Sequence, residues 1–345
     1  MALKRKPVGI GIVAGFIMFA VTLIAQETDY QAKIEEIQKQ RKDYYQQMDE
    51  ASKMGDTNAY NLALDEYTKL GSEIERLQAL AAEEGDKEAK AKSAYNRGNN
   101  FVRLGQNQEA VNAYDQAIRL DPENAKAYYG KAIALKKLKR YDEAQAAYQK
   151  SIDLDPTNSN AYLSLGNLYR AKEDYAQAVK VYYKALAQDS TLDKAYYEIG
   201  YTYAQEKDYS KAADAFEKAI KINASYDKAL NALGVAYNNL GKYSLATTVL
   251  NKAIEIDSRD GDSYFRLAEA YNNLGKYNDA LAAANSALQY LKKNQQAHAQ
   301  IEKGKAYEGL GDLSNAVASY RGAGQDKRFT SWVNWKIEAL KKQSQ

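Results

Sequence analysis

Cysteine is absent from this 345-residue chain, and histidine occurs once, at His298. Without thiols there is no disulfide, no thiolate metal ligand and no cysteine nucleophile, a composition that fits an oxidising compartment. His298 has no companion residues in a catalytic or metal-binding spacing and reads as a surface or groove residue. No GxxxxGK[ST] loop, GxSxG elbow, HExxH helix or Asp-rich calcium loop is present. Carboxylate pairs such as Glu83-Glu84 lie in polar runs without a concave apolar setting. The chain therefore offers no catalytic, cofactor or metal residues, and the expectation is a protein that is not an enzyme. Only three prolines interrupt a composition rich in Ala, Leu, Lys and Glu, which favours helix. One-sided charge is lacking too: 48 basic and 45 acidic residues leave a net charge of +3. They are interspersed, so the clustered basic face that nucleic acid requires is missing.

One long apolar run is present, from Val8 to Ala25 after Lys4, Arg5 and Lys6. At a rise of 1.5 Å per residue it spans roughly 27 Å, enough for a bilayer core. A cleaved signal peptide over residues 1–26 and a retained membrane anchor both fit. The basic start and the small residue before Gln26 favour the first, and the length favours the second. Gly11 and Gly15 would let an anchor pack against another helix. Either way the basic flank stays inside, so the remainder is expected to be extracytoplasmic, periplasmic or secreted.

Residues 27–84 carry two apolar seams at heptad-like spacing. The first is Tyr30, Ile34, Ile37, Tyr44, Met48 and Ala51, broken by Arg41; the second is Tyr60, Ala63, Tyr67, Leu70, Ile74, Leu77 and Ala81. Gly55-Asp56-Thr57 between them reads as a helix stop and restart, which predicts an antiparallel hairpin over 27–90. The hairpin suits a stiff spacer, a self-association element or a degenerate copy of the repeat that begins at residue 91. Residues 84–90 read as a solvated joint.

From residue 91 the chain is periodic. Gly98, Ala132, Gly166, Gly200, Gly234 and Ala268 recur every 34 residues, each followed twelve positions later by Ala. Phe101, Tyr169, Tyr203, Tyr237 and Tyr271 recur in step. Copies start at Ala91, Ala125, Ser159, Asp193, Asp227 and Gly261, and a seventh starts at Ala297 after a two-residue insertion. Such a period means stacked helical hairpins. Small residues mark the close helix crossings, and Tyr114, Tyr148, Tyr182 and Phe216 are expected to fill the space between neighbouring hairpins. Leu104-Gly105, Leu240-Gly241, Leu274-Gly275 and Leu310-Gly311 close first helices, where Gly accepts a left-handed backbone. Tyr141, Tyr175, Tyr209, Tyr243 and Tyr277 open second helices. Most of the thirty Tyr are thus framework residues. Residues 329–345 form a terminal cover, with Trp332, Trp335 and Ala339 on one face and Val333, Ile337 and Leu340 beside it.

Gly98…Phe101…Ala110…Tyr114…Ala117…Pro122 resembles the tetratricopeptide repeat at nearly every signature position, and the resemblance runs over 91–328. From the third copy the closing Pro is replaced by Ser190, Ala224 and Ser258, which weakens the turn signal between repeats. The resemblance implies an all-α, right-handed α-solenoid whose first helices line a concave groove. It implies that Tyr95, Asn99, Tyr129, Lys136, Asn167, Arg170, Tyr197, Tyr201, Asn231, Asn238, Phe265 and Asn272 face that groove. Asn both donates and accepts, Tyr and Phe give rigid contact area, and Arg and Lys engage carboxylates. The carboxylate clamp of some family members is absent, since Tyr95, Gly130, Asn160 and Ser164 stand at its positions and only Asn99 fits. The implied function is a scaffold or adaptor at the cell envelope that binds an extended peptide or helix of a protein partner. Membrane contact would run through residues 8–25 if these are retained. Groove tyrosines used as sugar platforms would instead make the chain a cell-wall glycan-binding module.

Overall fold

The computed structural model describes residues 14–343, and every regular element among them is helical. Part of the apolar run at 8–25 lies outside these residues, and with it part of the leader and anchor readings. Among the described residues no helix is long and apolar enough to cross a membrane. The chain divides into two compact units, residues up to 123 and from 124 onward.

The first unit holds α1 (Ala14–Met54), α2 (Thr57–Arg103) and α3 (Asn107–Leu120). Gly55 takes φ +72° and the Asp56 carboxylate caps α2 by accepting from the Asn58 and Ala59 amides at 3.1 and 3.0 Å. The two apolar seams face each other within the chain, where Ile34, Ile74 and Leu77 are buried beside Tyr30 and Ile37. Arg41, which breaks the first seam, is housed: its guanidinium lies 4.0 Å from the Tyr67 ring centroid and its Nε donates to the Tyr67 carbonyl at 3.2 Å. Gly71 makes the room, because a Cβ there would meet Arg41 Nη2 at 3.0 Å. The joint expected at 84–90 is continuous helix instead. One Gly in an exposed helix costs only about 1 kcal/mol, and Ala, Glu and Lys around Gly85 are good helix formers.

The second unit stacks α4 (Ala125–Lys137), α5 (Tyr141–Leu154), α6 (Ser159–Ala171), α7 (Tyr175–Gln188), α8 (Asp193–Gln205) and α9 (Tyr209–Ile222). It continues with α10 (Asp227–Asn239), α11 (Tyr243–Ile256), α12 (Gly261–Asn273), α13 (Tyr277–Tyr290), α14 (Gln296–Gly309), α15 (Leu313–Ala323) and α16 (Thr330–Gln343). Each hairpin crosses at its small residue. A Cβ at Gly304 would sit 2.5 Å from the Tyr320 ring, and one at Gly200 would sit 2.7 Å from Phe216. The same pairing joins Gly98 to Tyr114 in the first unit and Gly166 to Tyr182 in the second. These rings therefore fill the crossing inside their own hairpin, not only the space between hairpins. Where Ala268 replaces the glycine, Ala284 replaces the ring, whereas Ala132 keeps its ring at Tyr148, and all four are buried.

The turns explain two departures from the repeat pattern. Gly105, Gly241, Gly275 and Gly311 have φ between +69° and +79°, and Lys139, Glu173 and Lys207 hold the same left-handed place at +60° to +62°. Between hairpins a side-chain turn is shared by copies with and without the proline: Asp121 and Asp155, beside Pro122 and Pro156, accept from the Glu123 and Thr157 amides at 3.1 and 3.2 Å. Asp189 accepts from the Thr191 amide and hydroxyl at 2.9 and 2.7 Å, and Asn223 and Asp257 accept from the amides of Ser225 and Arg259. The insertion before α14 forms a short 3₁₀ turn, Lys293–Gln295, and Leu291 packs on Gly261. At the end of the stack, Val333, Ile337 and Leu340 of α16 cover Ile301, Ala316, Tyr320 and Ala323. The Trp face points away from this seal: Trp335 is 65% exposed, and Trp332 touches the edge of Tyr320 with a ring separation of 5.6 Å.

Candidate functional site

The first helices of the second unit, α4, α6, α8, α10, α12 and α14, carry ten of the twelve expected groove residues. Tyr95 and Asn99 belong to the first unit; Tyr95 packs near Tyr114, whose hydroxyl donates to Asn99 Oδ1 at 2.7 Å. Asn167 does the same for Tyr182, also at 2.7 Å. These two Asn thus anchor framework tyrosines.

Several others bind one repeat to the next. Tyr129 and Ser164 share a hydrogen bond of 3.1 Å between α4 and α6. Asn231 Nδ2 donates to Ser263 Oγ at 2.8 Å, Asn238 Nδ2 to the Arg266 carbonyl at 2.9 Å and Asn272 Nδ2 to the Glu302 carbonyl at 2.9 Å. Asn238 is 7% exposed and Phe265 8% exposed, so both are core residues and offer a partner little surface. Phe265 instead packs near His298, which also meets Phe329 edge-on at 4.8 Å. Burial and the flanking Arg266 and Arg328 hold the His298 imidazole below its usual range.

The remaining four converge. On α6, Arg170 pairs with Glu198 of α8 at 3.1 Å and lies 4.8 Å from the Tyr201 ring centroid. Burial and the Arg170 charge lower the pKa of Lys136 on α4. Burial raises that of Glu198, opposed by Arg170 and Lys136. Tyr197 stands beside Tyr201 and has Tyr226 and Phe216 against it, at 5.2 and 5.8 Å between centroids.

Beyond Tyr201 opens a cavity of about 720 Å³ between α8, α10 and α12. Tyr197, Tyr201 and Val235 give it aromatic and aliphatic walls, and Asn231 lies between them. Asp227, Asp257, Asp260 and Asp262 supply carboxylates on one side. Motif reading missed these four because Asp at a helix end reads as a cap: Asp260 caps the start of α12 and Asp257 follows the end of α11. Asp262 had a usable signal: it occupies the second position of its repeat, a position implied to face the groove. Among the described residues no group of His, Cys, Asp and Glu is placed to hold a metal ion.

Tetratricopeptide-repeat family models match residues 95–159, 131–193, 193–226, 227–260, 249–282 and 297–323. Comparison with curated protein sequences gives no match. Among solved structures, the C-terminal part of a TPR repeat-containing protein from Cytophaga hutchinsonii is 19% identical, with a TM-score of 0.57 over 66% of this chain and 93% of that one. A tetratricopeptide repeat protein from Parabacteroides merdae ATCC 43184 is 18% identical, with a TM-score of 0.52 over 73% and 99%. YrrB, a TPR protein with an unusual peptide-binding site, is 25% identical, with a TM-score of 0.47 over 52% and 91%. The chain belongs to the tetratricopeptide-repeat family, whose fold is generally a non-enzymatic scaffold for protein partners.

Proposed function

We propose that the protein is an adaptor that holds an extended segment of a partner protein along α4, α6, α8 and α10, with its main contact in the Tyr-walled cavity. The observation that carries this reading is the convergence of Tyr197, Tyr201 and Asn231 on one concave space of about 720 Å³, within the range of peptide and ligand sites. A glycan platform would need an open ring face, whereas Tyr197 already has Phe216 and Tyr226 against it. In a pull-down from cell-envelope extract, Tyr197→Ala with Tyr201→Ala should lose the partner. Tyr183→Ala, at an exposed tyrosine of α7, should keep it. Equal capture by both variants, with helicity unchanged, would sink the groove reading.

The adaptor is proposed to work outside the cytoplasm, delivered there by the apolar run Val8–Ala25 as a cleaved leader or a retained anchor. Fractionation with mass spectrometry of the mature amino terminus tests this. A cytoplasmic protein beginning at residue 1 or 2 contradicts it.

A further inference from the structure

The groove carries opposite charge at its two ends. On α4 and α6, Lys136 and Arg170 have one carboxylate between them, Glu198, which is ion-paired to Arg170. Arg170 Nε is out of contact with water and has no hydrogen-bond partner. That end therefore holds one positive charge in excess.

At the other end, Asp227, Asp257, Asp260 and Asp262 line the cavity. Local structure accounts for part of this set. Asp227, Asp257 and Asp260 each accept from a nearby backbone amide, at 2.7, 2.9 and 3.0 Å, and the second Asp260 oxygen accepts from Ser263 Oγ at 2.5 Å and Asn231 Nδ2 at 3.4 Å. The Asp262 carboxylate accepts no hydrogen bond among the described residues, and none of the four is ion-paired there. Of the two cations in the lining, Arg266 is paired with Glu269 at 3.2 Å, so Lys228 alone faces four carboxylates. Carboxylates gathered without counter-charge repel one another, and a cationic occupant relieves that repulsion.

The two ends are continuous, because Arg170 rests on Tyr201 and Tyr201 forms the cavity wall. Alternate helices of the stack lie ~10 Å apart, so Arg170 on α6 and Asp262 on α12 are separated by ~30 Å, which an extended chain crosses in about nine residues.

We infer that the groove selects a dipolar segment: an acidic side chain against Lys136 and Arg170 and, about nine residues along, a Lys or Arg side chain in the cavity beside Asp262. This rests on the groove reading and names the chemistry of its occupant. A segment of uniform charge gains at one pole and is repelled at the other, so the pattern excludes uniformly basic or acidic chains.

Fluorescence anisotropy of the full chain with dye-labelled synthetic peptides tests it. The probe carries Glu-Glu and Lys-Lys separated by about eight uncharged residues; the controls replace both pairs with Gln, or all four residues with Lys or with Glu. The dipolar peptide should bind about tenfold tighter than each control, with the advantage lost in high salt. Asp227→Asn with Asp262→Asn should remove the advantage, as should Lys136→Gln, while the Gln control is unaffected by either. Equal binding of dipolar and Gln peptides, both weakened by Tyr201→Ala, overturns the charge inference and leaves the groove reading standing. Binding unaffected by Tyr201→Ala overturns both. Failure of every peptide to bind overturns the charge inference, and the pull-down then judges the groove.

Discussion

The α1–α2 hairpin and the stack from α4 onward are both built from antiparallel helices, yet they bury their side chains differently. Along the hairpin, Ile34, Ala51, Ala63, Ile74 and Leu77 are buried, while Leu62 and Met54 stand 74% and 76% exposed. In the stack, each hairpin encloses an aromatic or aliphatic side chain against a glycine or alanine and also meets its neighbours on both sides. Two helices alone share one seam, and water reaches every other face. Stacking covers a second face of each helix, which is why repeat arrays form extended cores from short elements.

The largest effect expected from breaking this comparison is at a stack crossing. Gly166→Ala drives a methyl into the Tyr182 ring and should cost about 1–3 kcal/mol. Tyr182→Ala leaves a cavity and should cost more, about 3–5 kcal/mol, but the double variant should lose less than the sum of the two single changes. Thermal unfolding followed by circular dichroism, with all three variants on one scale, checks this. Strict additivity of the two single losses would mean that the crossing is not volume-limited.

In the hairpin, Leu77→Ala should cost less, about 1–2 kcal/mol, because the seam is open to water on both sides. Its effect should stay local. Hydrogen exchange should rise over α1 and the first half of α2 and remain unchanged from α4 to α16; faster exchange throughout would show that the stack depends on the hairpin seam.

Smaller still is a gain. Glu173→Gly should stabilise the chain by about 0.5–1 kcal/mol, because a non-glycine residue at φ near +60° strains the backbone. Glu173→Ala should not. A melting temperature unchanged in both variants would show that this turn is not strained.

Much of this was legible in the sequence because periodic features report shared geometry. The spacing of Gly98, Gly166, Gly200 and Gly234 marks the crossings, and the helix starts at Tyr141, Tyr175, Tyr209, Tyr243 and Tyr277 follow from the same register. Single compensations were not legible. Arg41 looked like a break in a seam because its solution lies 26 residues away, at the Tyr67 carbonyl and on Gly71. Gly85 looked like a joint because the propensity of one residue is weaker than that of the helix formers around it. At the candidate site position alone does not separate the residues: Asn238 shares the repeat position of Lys136 and Arg170, and Phe265 that of Tyr197, yet Asn238 and Phe265 are buried. Which of these face the groove depends on the neighbouring repeat, since Asn238 is drawn onto the Arg266 carbonyl. The acidic side of the cavity was hidden because capping and binding use the same residue type at the same helix ends.

The most direct test of the adaptor reading is site-specific photocrosslinking in the native host. A photoreactive phenylalanine analogue placed at Tyr201, in the cavity wall, should form a discrete adduct with one partner protein, and the same analogue at exposed Tyr183 on α7 should not. Adducts of equal yield from both positions, or from Tyr183 alone, would contradict the account.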